Sequence, residues 1–421
     1  MIVNDRLRGI VEDKPLKSTL LHYVRSAKEY YGVSNNDELI AVDSYAYKLN
    51  NTINQNGAKQ SDFFSLDGIW IYRHDPNITS SRYRIISVKS DEGNDELVTP
   101  SILSRLNFWE DYNGDWHSSK IDRGYLDGYG YMVLDELEGG GYFQVEDRFY
   151  ESAESAYYSD SSIFLAGYHS SSPRIINEEA NIWLGFEAEK EDREVLLSRT
   201  LQEYYEEFPK WRLERDGSLD DWGLECISPV FPLDNDTDRE LIENECHKLS
   251  EYLEADSSSN CGFHISVSTR PTRRHGTEGL YRKIENWMPL LYALYPSRTS
   301  GSYSEAKYKG DSSSSRDCLY RDRNRVEIRI FPACLSVDNV LFRIDLVRYI
   351  LKNPINETYE LADHFKKSAF IELIDRVYHG DRDKLNSLIR RTWKYSKQYN
   401  FSTPSDKNLF TEEAEETLET I

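Results

Sequence analysis

The sequence predicts an α+β fold divided into more than one unit, and three observations carry that expectation. The chain has 421 residues, too many for one compact core at about 150 residues per domain. From about residue 181, short apolar segments alternate with longer stretches of helical periodicity. Among the short segments, RVEIRIF (325–331) alternates aliphatic and charged side chains with the period of two that a strand imposes.

Taken in order, Leu16, Leu20, Leu21, Val24 and Tyr31 fall near helical spacing before Gly32, which predicts a helix over 16–31. GIWIYR (68–73) and RYRIISV (82–88) are aromatic and β-branched and read as strands. The stretch 130–172 holds the triplet Gly139 to Gly141, many tyrosines and two serine-rich segments without a clean period. Its end is the expected boundary of an aromatic-rich N-terminal accessory domain over 1–175. Beyond it NIWLGFEAE (181–189), WRLER (211–215), WGLECIS (222–228) and CGFHISVS (261–268) read as strands, and 192–208, 237–253 and 277–294 as helices. A serine-rich loop runs from Thr299 to Arg316, and Ser336 can cap a helix that Pro354 ends. A second domain over 176–355 is thus followed by a helical C-terminal extension over 356–421, with helices at 357–378 and 381–397 and an acidic tail.

Composition narrows the function classes. A net charge of −22 repels phosphate backbones and anionic head groups, which argues against nonspecific nucleic-acid binding. No apolar run reaches the ~18 residues of a membrane span, and the start MIVNDRLRGIVEDK has no apolar leader core. Five cysteines, an odd number without a close CxxC pair, fit neither a disulfide scaffold nor a zinc ribbon. A reduced, cytoplasmic setting is expected.

Chemistry is suggested by acids standing inside strands. Glu187 and Glu189 in GFEAE project from one face of a strand, and a hard divalent ion such as Mg²⁺ relieves the repulsion between them. Taken alone, the pair suits an exposed strand end. Asp216-Gly217-Ser218 is a good turn, yet Glu225 follows within the apolar segment GLECIS. His264, Ser266 and Ser268 share a face of CGFHISVS, as do Glu327 and Arg329 in VEIRI, where an exposed ion pair is the plain reading. Together these fragments describe one sheet with an apolar face on helices and an opposite face of four acids, an imidazole and a guanidinium. Such a face can hold divalent ions, a nucleotide triphosphate and a transferring phosphoryl group.

The series GFEAE, DGSL with GLECISP, CGFHISVS, Pro296-Ser297-Arg298 to Tyr303, and VEIRIF resembles the amidoligases, relatives of glutamine synthetase and glutamate–cysteine ligase. The likeness covers roughly 180–350. It implies a curved antiparallel sheet of glutamine synthetase type backed by helices, and ATP-dependent joining of a carboxylate to an amine through an acyl phosphate. It also implies Glu187, Glu189, Glu225, His264 and Glu327 as ligands of Mg²⁺, expected as two ions, and Arg329 beside the phosphates. His264, Ser266, Ser268 and Arg329 would hold ATP, Arg298 would contact substrate or phosphate, and Asp216 would orient or deprotonate the amine or serve only the turn. Ser266 departs from the family, in which a second histidine is usual, and the zinc-binding cysteines that precede many relatives are missing. A bacterial or phage setting suits this chemistry, with an amino acid or peptide as the carboxylate substrate.

Two other readings stand beside this one. A ligase fold without activity would use the aromatic first domain to bind a protein partner, and an acidic decoy would use net charge alone. The 299–316 loop is expected either to close over nucleotide or to be a simple connector.

Overall fold

The computed structural model describes residues 22–24, 29–33, 39–42, 63–67, 69–73 and 84–401, apart from 171, 173, 270–275, 302–303 and 323. The acidic tail lies outside them. By its internal contacts the chain divides after Ala156 into two units.

In the first unit, β1 (His22–Val24), β2 (Glu29–Val33) and β3 (Leu39–Val42) form an antiparallel meander. This corrects the helix expected over 16–31, whose residues 16–21 and 25–28 lie outside the described residues. Tyr23, Val24, Tyr30, Tyr31 and Val33 favour extended backbone, and pairing with β3 outweighs the helical spacing of a few apolar positions. The hairpin β4 (Phe63–Leu66) and β5 (Ile69–Tyr72) realises the strand expected at 68–73. A second hairpin joins β6 (Ile86–Lys89) to β7 (Asp95–Val98), and α1 (Pro100–Arg105) starts on a proline whose missing N–H costs nothing there. Phe64, Leu66, Ile71, Val98, Ile102 and Leu103 bury together. After the short pair β8 (Trp109–Glu110) and β9 (Trp116–His117) comes a sheet of β10 (Arg123–Leu126), β11 (Gly130–Val133), β12 (Phe143–Val145) and β13 (Arg148–Tyr150), with α2 (Leu134–Gly139) between β11 and β12. Only a glycine fits at Gly124, where a Cβ would stand 2.6 Å from Leu137 and 2.8 Å from Phe149. The helix α3 (Ala153–Ser159) carries the chain across the division.

The second unit is organised by β14 (Ile182–Glu191). It is followed by α4 (Arg193–Leu196), α5 (Leu201–Glu207), β15 (Arg212–Glu214), β16 (Gly223–Ile227), β17 (Phe231–Pro232), α6 (Asp236–Lys248), α7 (Ser250–Leu253) and β18 (Gly262–Thr269). Next come α8 (Gly276–Glu285), α9 (Met288–Leu294), β19 (Ser300–Gly301), β20 (Ser304–Glu305), β21 (Leu319–Arg321) and β22 (Val326–Pro332). The helices α10 (Val337–Lys352), α11 (Leu361–His364), α12 (Ser368–Tyr378) and α13 (Arg382–Gln398) close the described chain. The main sheet has the order β15-β16-β14-β18-β22-β21, with β17 added beside β14, and every pair in it is antiparallel. It does not close into a barrel. The fold is α+β.

The expected strands of this unit all form, whereas four expected helices are broken, 237–253 among them, which divides at Leu249 into α6 and α7. Thr200 and Glu203 make a reciprocal capping box that starts α5 afresh after α4. Pro289 lies in the first turn of α9 and prevents continuation from α8. The 357–378 stretch opens with a 3₁₀ turn at Thr358–Glu360 before α11 and α12. Ser336 caps α10 as expected, accepting from the Asn339 N–H, and the helix ends at Lys352 before Pro354.

One face of the sheet is apolar. Phe186, Ala188, Cys226, Phe263, Ile265, Val267, Val326 and Ile328 are buried on it, each large side chain stabilising the fold by ~1.5–3 kcal/mol. Arg343 of α10 ties the helical layer to that face, lying over the rings of Phe263 and Phe331 and donating to the Pro332 and Ala333 carbonyls. The helices after residue 355 belong to the same unit, since His364 packs on Trp287 and Tyr395 and Tyr399 pack on Tyr292. The segment before 175 also joins it, Ala166 pairing with Glu214 and Ile175 with Val230.

Candidate metal centre

Cross-strand register collects the polar side chains. Residues directly opposite on antiparallel strands share a face, and Glu187 lies opposite His264, Glu189 opposite Glu225, and Ser266 opposite Glu327. Since side chains alternate, Glu187 and Glu189 stand together on β14 with Phe186 and Ala188 turned into the core.

His264 is the hub. Its Nδ1 lies 3.7 Å from Glu187 and 3.8 Å from Glu327, and its Nε2 lies 3.6 Å from Glu189. Two groups of potential ligand atoms result, Glu187–His264–Glu327 and Glu189–Glu225–His264, each with its atoms within 4.8 Å of one another. All are buried except Glu187, which is partly so. The backbone leaves room for them at Gly262, where a Cβ would stand 2.8 Å from His264 Nε2, 3.0 Å from Arg298 Nη2 and 3.2 Å from Glu189 Oε2. The Gly262 N–H also donates to Glu189 and holds that carboxylate in place.

Charge is distributed unevenly over the face. Arg329 donates to Glu327, and Arg325 lies 3.6 Å from Glu187 and 3.4 Å from Glu327. Burial opposes ionisation of Glu187, but His264, Arg325 and Arg329 together hold its pKa below the ordinary value. Glu225 behaves oppositely: burial, then the charges of Glu187, Glu189, Asp216 and Glu214, push its pKa well above the usual carboxylate range. This half of the face therefore gains most from a cation.

The sequence-predicted residues take the following places. Glu187, Glu189, Glu225, His264 and Glu327 converge, with Arg329 attached to Glu327. Arg298, on the 3₁₀ turn Pro296–Arg298, comes within reach of the site beside Gly262, and its pKa is lowered by burial. Asp216 is close enough to raise the pKa of Glu225 while its carboxylate accepts the Ser218 N–H in the predicted turn. Ser266 faces the site, and its buried Oγ has no hydrogen-bond partner among the described residues. Ser268 stands one alternation farther along β18, opposite Trp183. The 299–316 loop begins as the short hairpin of β19 and β20, whose tip at 302–303 lies outside the described residues.

The sequence does not match any protein-family profile or any curated protein. Carboxylate oxygens and one imidazole nitrogen suit a hard or borderline divalent ion. The donor atoms, the cradle over Gly262 and the orphaned Ser266 hydroxyl all fit such an ion.

Four participants escaped the sequence reading. Glu214 is fully buried opposite Glu225 and accepts the backbone N–H of His169. Its signal was an acid within the strand-like WRLER. Arg325, just before β22, had no signal beyond its neighbourhood. Tyr168 and His169 lie in the serine-rich spacer, their ring centroids 3.8 Å apart and their planes tilted by 33°. Pairing of Ala166 with Glu214 brings Tyr168 near the carboxylates, where burial and the charges of Asp216, Glu225 and Glu187 raise its pKa.

Proposed function

We propose that this chain is a Mg²⁺- and ATP-dependent carboxylate–amine ligase of amidoligase type. The observation that carries the reading is the convergence of four carboxylates and His264 on one sheet face, with Arg329 and Arg298 beside them. Glu187, Glu327 and Glu189, Glu225 would hold divalent ions on the two sides of the imidazole, whose unprotonated nitrogen can serve one of them. A bound ion supplies neutralisation of triphosphate charge.

In this reaction a substrate carboxylate oxygen bonds to the terminal phosphorus of ATP as the bond to ADP breaks. The amine nitrogen then attacks the acyl carbon, phosphate leaves, and the nitrogen gives up a proton. Arg329 and Arg298 offer fixed guanidinium N–H groups to phosphoryl oxygens as charge moves. The Glu327 contact orients Arg329, Arg325 shares the Glu327 carboxylate, and Asp216 would take the amine proton or serve only its turn.

One observation favours a second reading. Among the described residues a single imidazole serves both carboxylate groups, and Ser266 brings a weaker ligand, as in a ligase fold retained for binding a protein partner. Turnover separates the two. With Mg²⁺, ATP and pooled amino acids and peptides, the ligase releases ADP, and Glu189→Gln and Arg329→Ala reduce release at least 100-fold while remaining folded. Absence of substrate-stimulated ADP release across the pools would falsify the ligase reading.

A further inference from the structure

A cleft of about 620 Å³ opens beside α8, lined by that helix, residues 309–313, Arg321 and the 355–356 turn. It does not belong to the carboxylate face. On β21 Tyr320 lies opposite Glu327, whereas Arg321 lies opposite the core residue Val326. Arg321 therefore leaves the sheet on its helical side, where it lies over Tyr281.

The cleft has two poles. At one, Arg282 and Arg321 share the single carboxylate of Glu278, so the trio keeps one positive charge and presents guanidinium N–H groups. At the other are Asp311, Asn286 and Glu285, which accepts the Gly310 N–H; of the two lysines that also line the cleft, Lys309 is paired with Glu357 and Lys283 is exposed. Asn286 is over nine-tenths buried, its Nδ2 donates to the carbonyls of Ile355 and Asn356, and its Oδ1 has no hydrogen-bond partner among the described residues. That pole calls for a donor carrying positive charge. Arg282 and the Glu285–Asn286 pair lie one helical turn apart, ~5 Å along the axis. A free amino acid holds its two charges closer than this, and one additional extended residue adds ~3.5 Å.

We propose that this cleft binds a short zwitterionic peptide, its carboxylate on Arg282 and Arg321 and its ammonium on Asn286 Oδ1, Glu285 and Asp311. The volume falls in the range of small-ligand pockets, ~300–1,000 Å³. The site lies apart from the proposed ligase centre and does not depend on it.

The test is equilibrium dialysis of the full chain against a defined pool of unmodified dipeptides, read by mass spectrometry. Pools of N-acetylated dipeptides, C-amidated dipeptides and free amino acids are run alongside. At least one unmodified dipeptide should be retained tenfold or more above both blocked forms and above free amino acids. Arg321→Ala should abolish retention. Asp311→Asn, an exposed change that leaves the Asn286 bonds intact, should weaken it severalfold. Glu187→Gln, on the opposite sheet face, should retain the peptide like the parent chain. No retention, equal retention of blocked peptides or free amino acids, or retention insensitive to both cleft variants overturns the proposal.

Discussion

Replacing Gly262 with alanine tests whether the polar face is an ion site. The backbone there is ordinary extended strand, paired with Pro332, so alanine brings no conformational penalty of its own. The added Cβ stands 2.8 Å from His264 Nε2, and the imidazole must retreat toward the 3.4 Å at which ordinary contact begins. That movement is several times the ~0.2 Å tolerance of a metal–ligand distance. Arg298 Nη2 and Glu189 Oε2, at 3.0 and 3.2 Å, must give way as well. Overpacking of this kind costs ~1–3 kcal/mol, and each ~1.4 kcal/mol is tenfold in affinity, so divalent-ion binding should weaken between about 5- and 150-fold. Gly185 supplies the control, because it lies opposite Ser266 yet a Cβ there meets nothing nearer than 3.7 Å. Calorimetric titration with Mg²⁺, and with Mn²⁺ as a spectroscopic substitute, reads both variants, with circular dichroism to confirm folding. Equal ion affinity in Gly262→Ala and Gly185→Ala, both folded, refutes the placement of the ion over Gly262.

Other expectations concern the scaffold. Thr200→Ala removes one arm of the capping box of α5 and should cost ~1 kcal/mol in urea unfolding; an unchanged midpoint refutes the role of the cap. Lys190 is fully buried and donates to the Ala255 and Cys334 carbonyls. Lys190→Met keeps the volume but strands those acceptors, at ~1–3 kcal/mol each, and a variant as stable as the parent contradicts this. Burial, then the charge of Lys367, lowers the pKa of His364 below its ordinary value of 6.5. Between that folded pKa and 6.5 the unfolded chain binds the proton more readily, so stability should fall as pH drops through 6.5 and level off below the folded pKa. His364→Gln should flatten the slope between pH 7.5 and 5.5, and parallel pH profiles for the two proteins would reject the assignment.

Much of the candidate site was legible because strand alternation is a local property. Once GFEAE, GLECIS, CGFHISVS and VEIRIF are strands, the shared face of Glu187 with Glu189 and of Glu327 with Arg329 follows from the period of two. The early helix was misread for the complementary reason. Spacing in 16–31 satisfied a helix locally, while pairing with Leu39–Val42 favoured extended backbone. Helix breaks at Thr200 and Pro289 were written in capping and proline chemistry, but apolar periodicity runs through both.

The α+β class, the strands that carry the acids, the cap at Ser336 and the net charge of −22 were already legible in the sequence. Each depends on residue identity or on neighbours a few positions away. The tertiary structure alone decided that His264 stands between two carboxylate groups, that Glu214 and Tyr168 join them, and that Arg321 opens onto a cleft behind the sheet. Those outcomes depend on strand order and register, which arise from contacts between residues distant in the chain. All five cysteines illustrate both levels: their spacing spoke against a disulfide framework, and burial in the folded unit leaves every thiol free and enclosed.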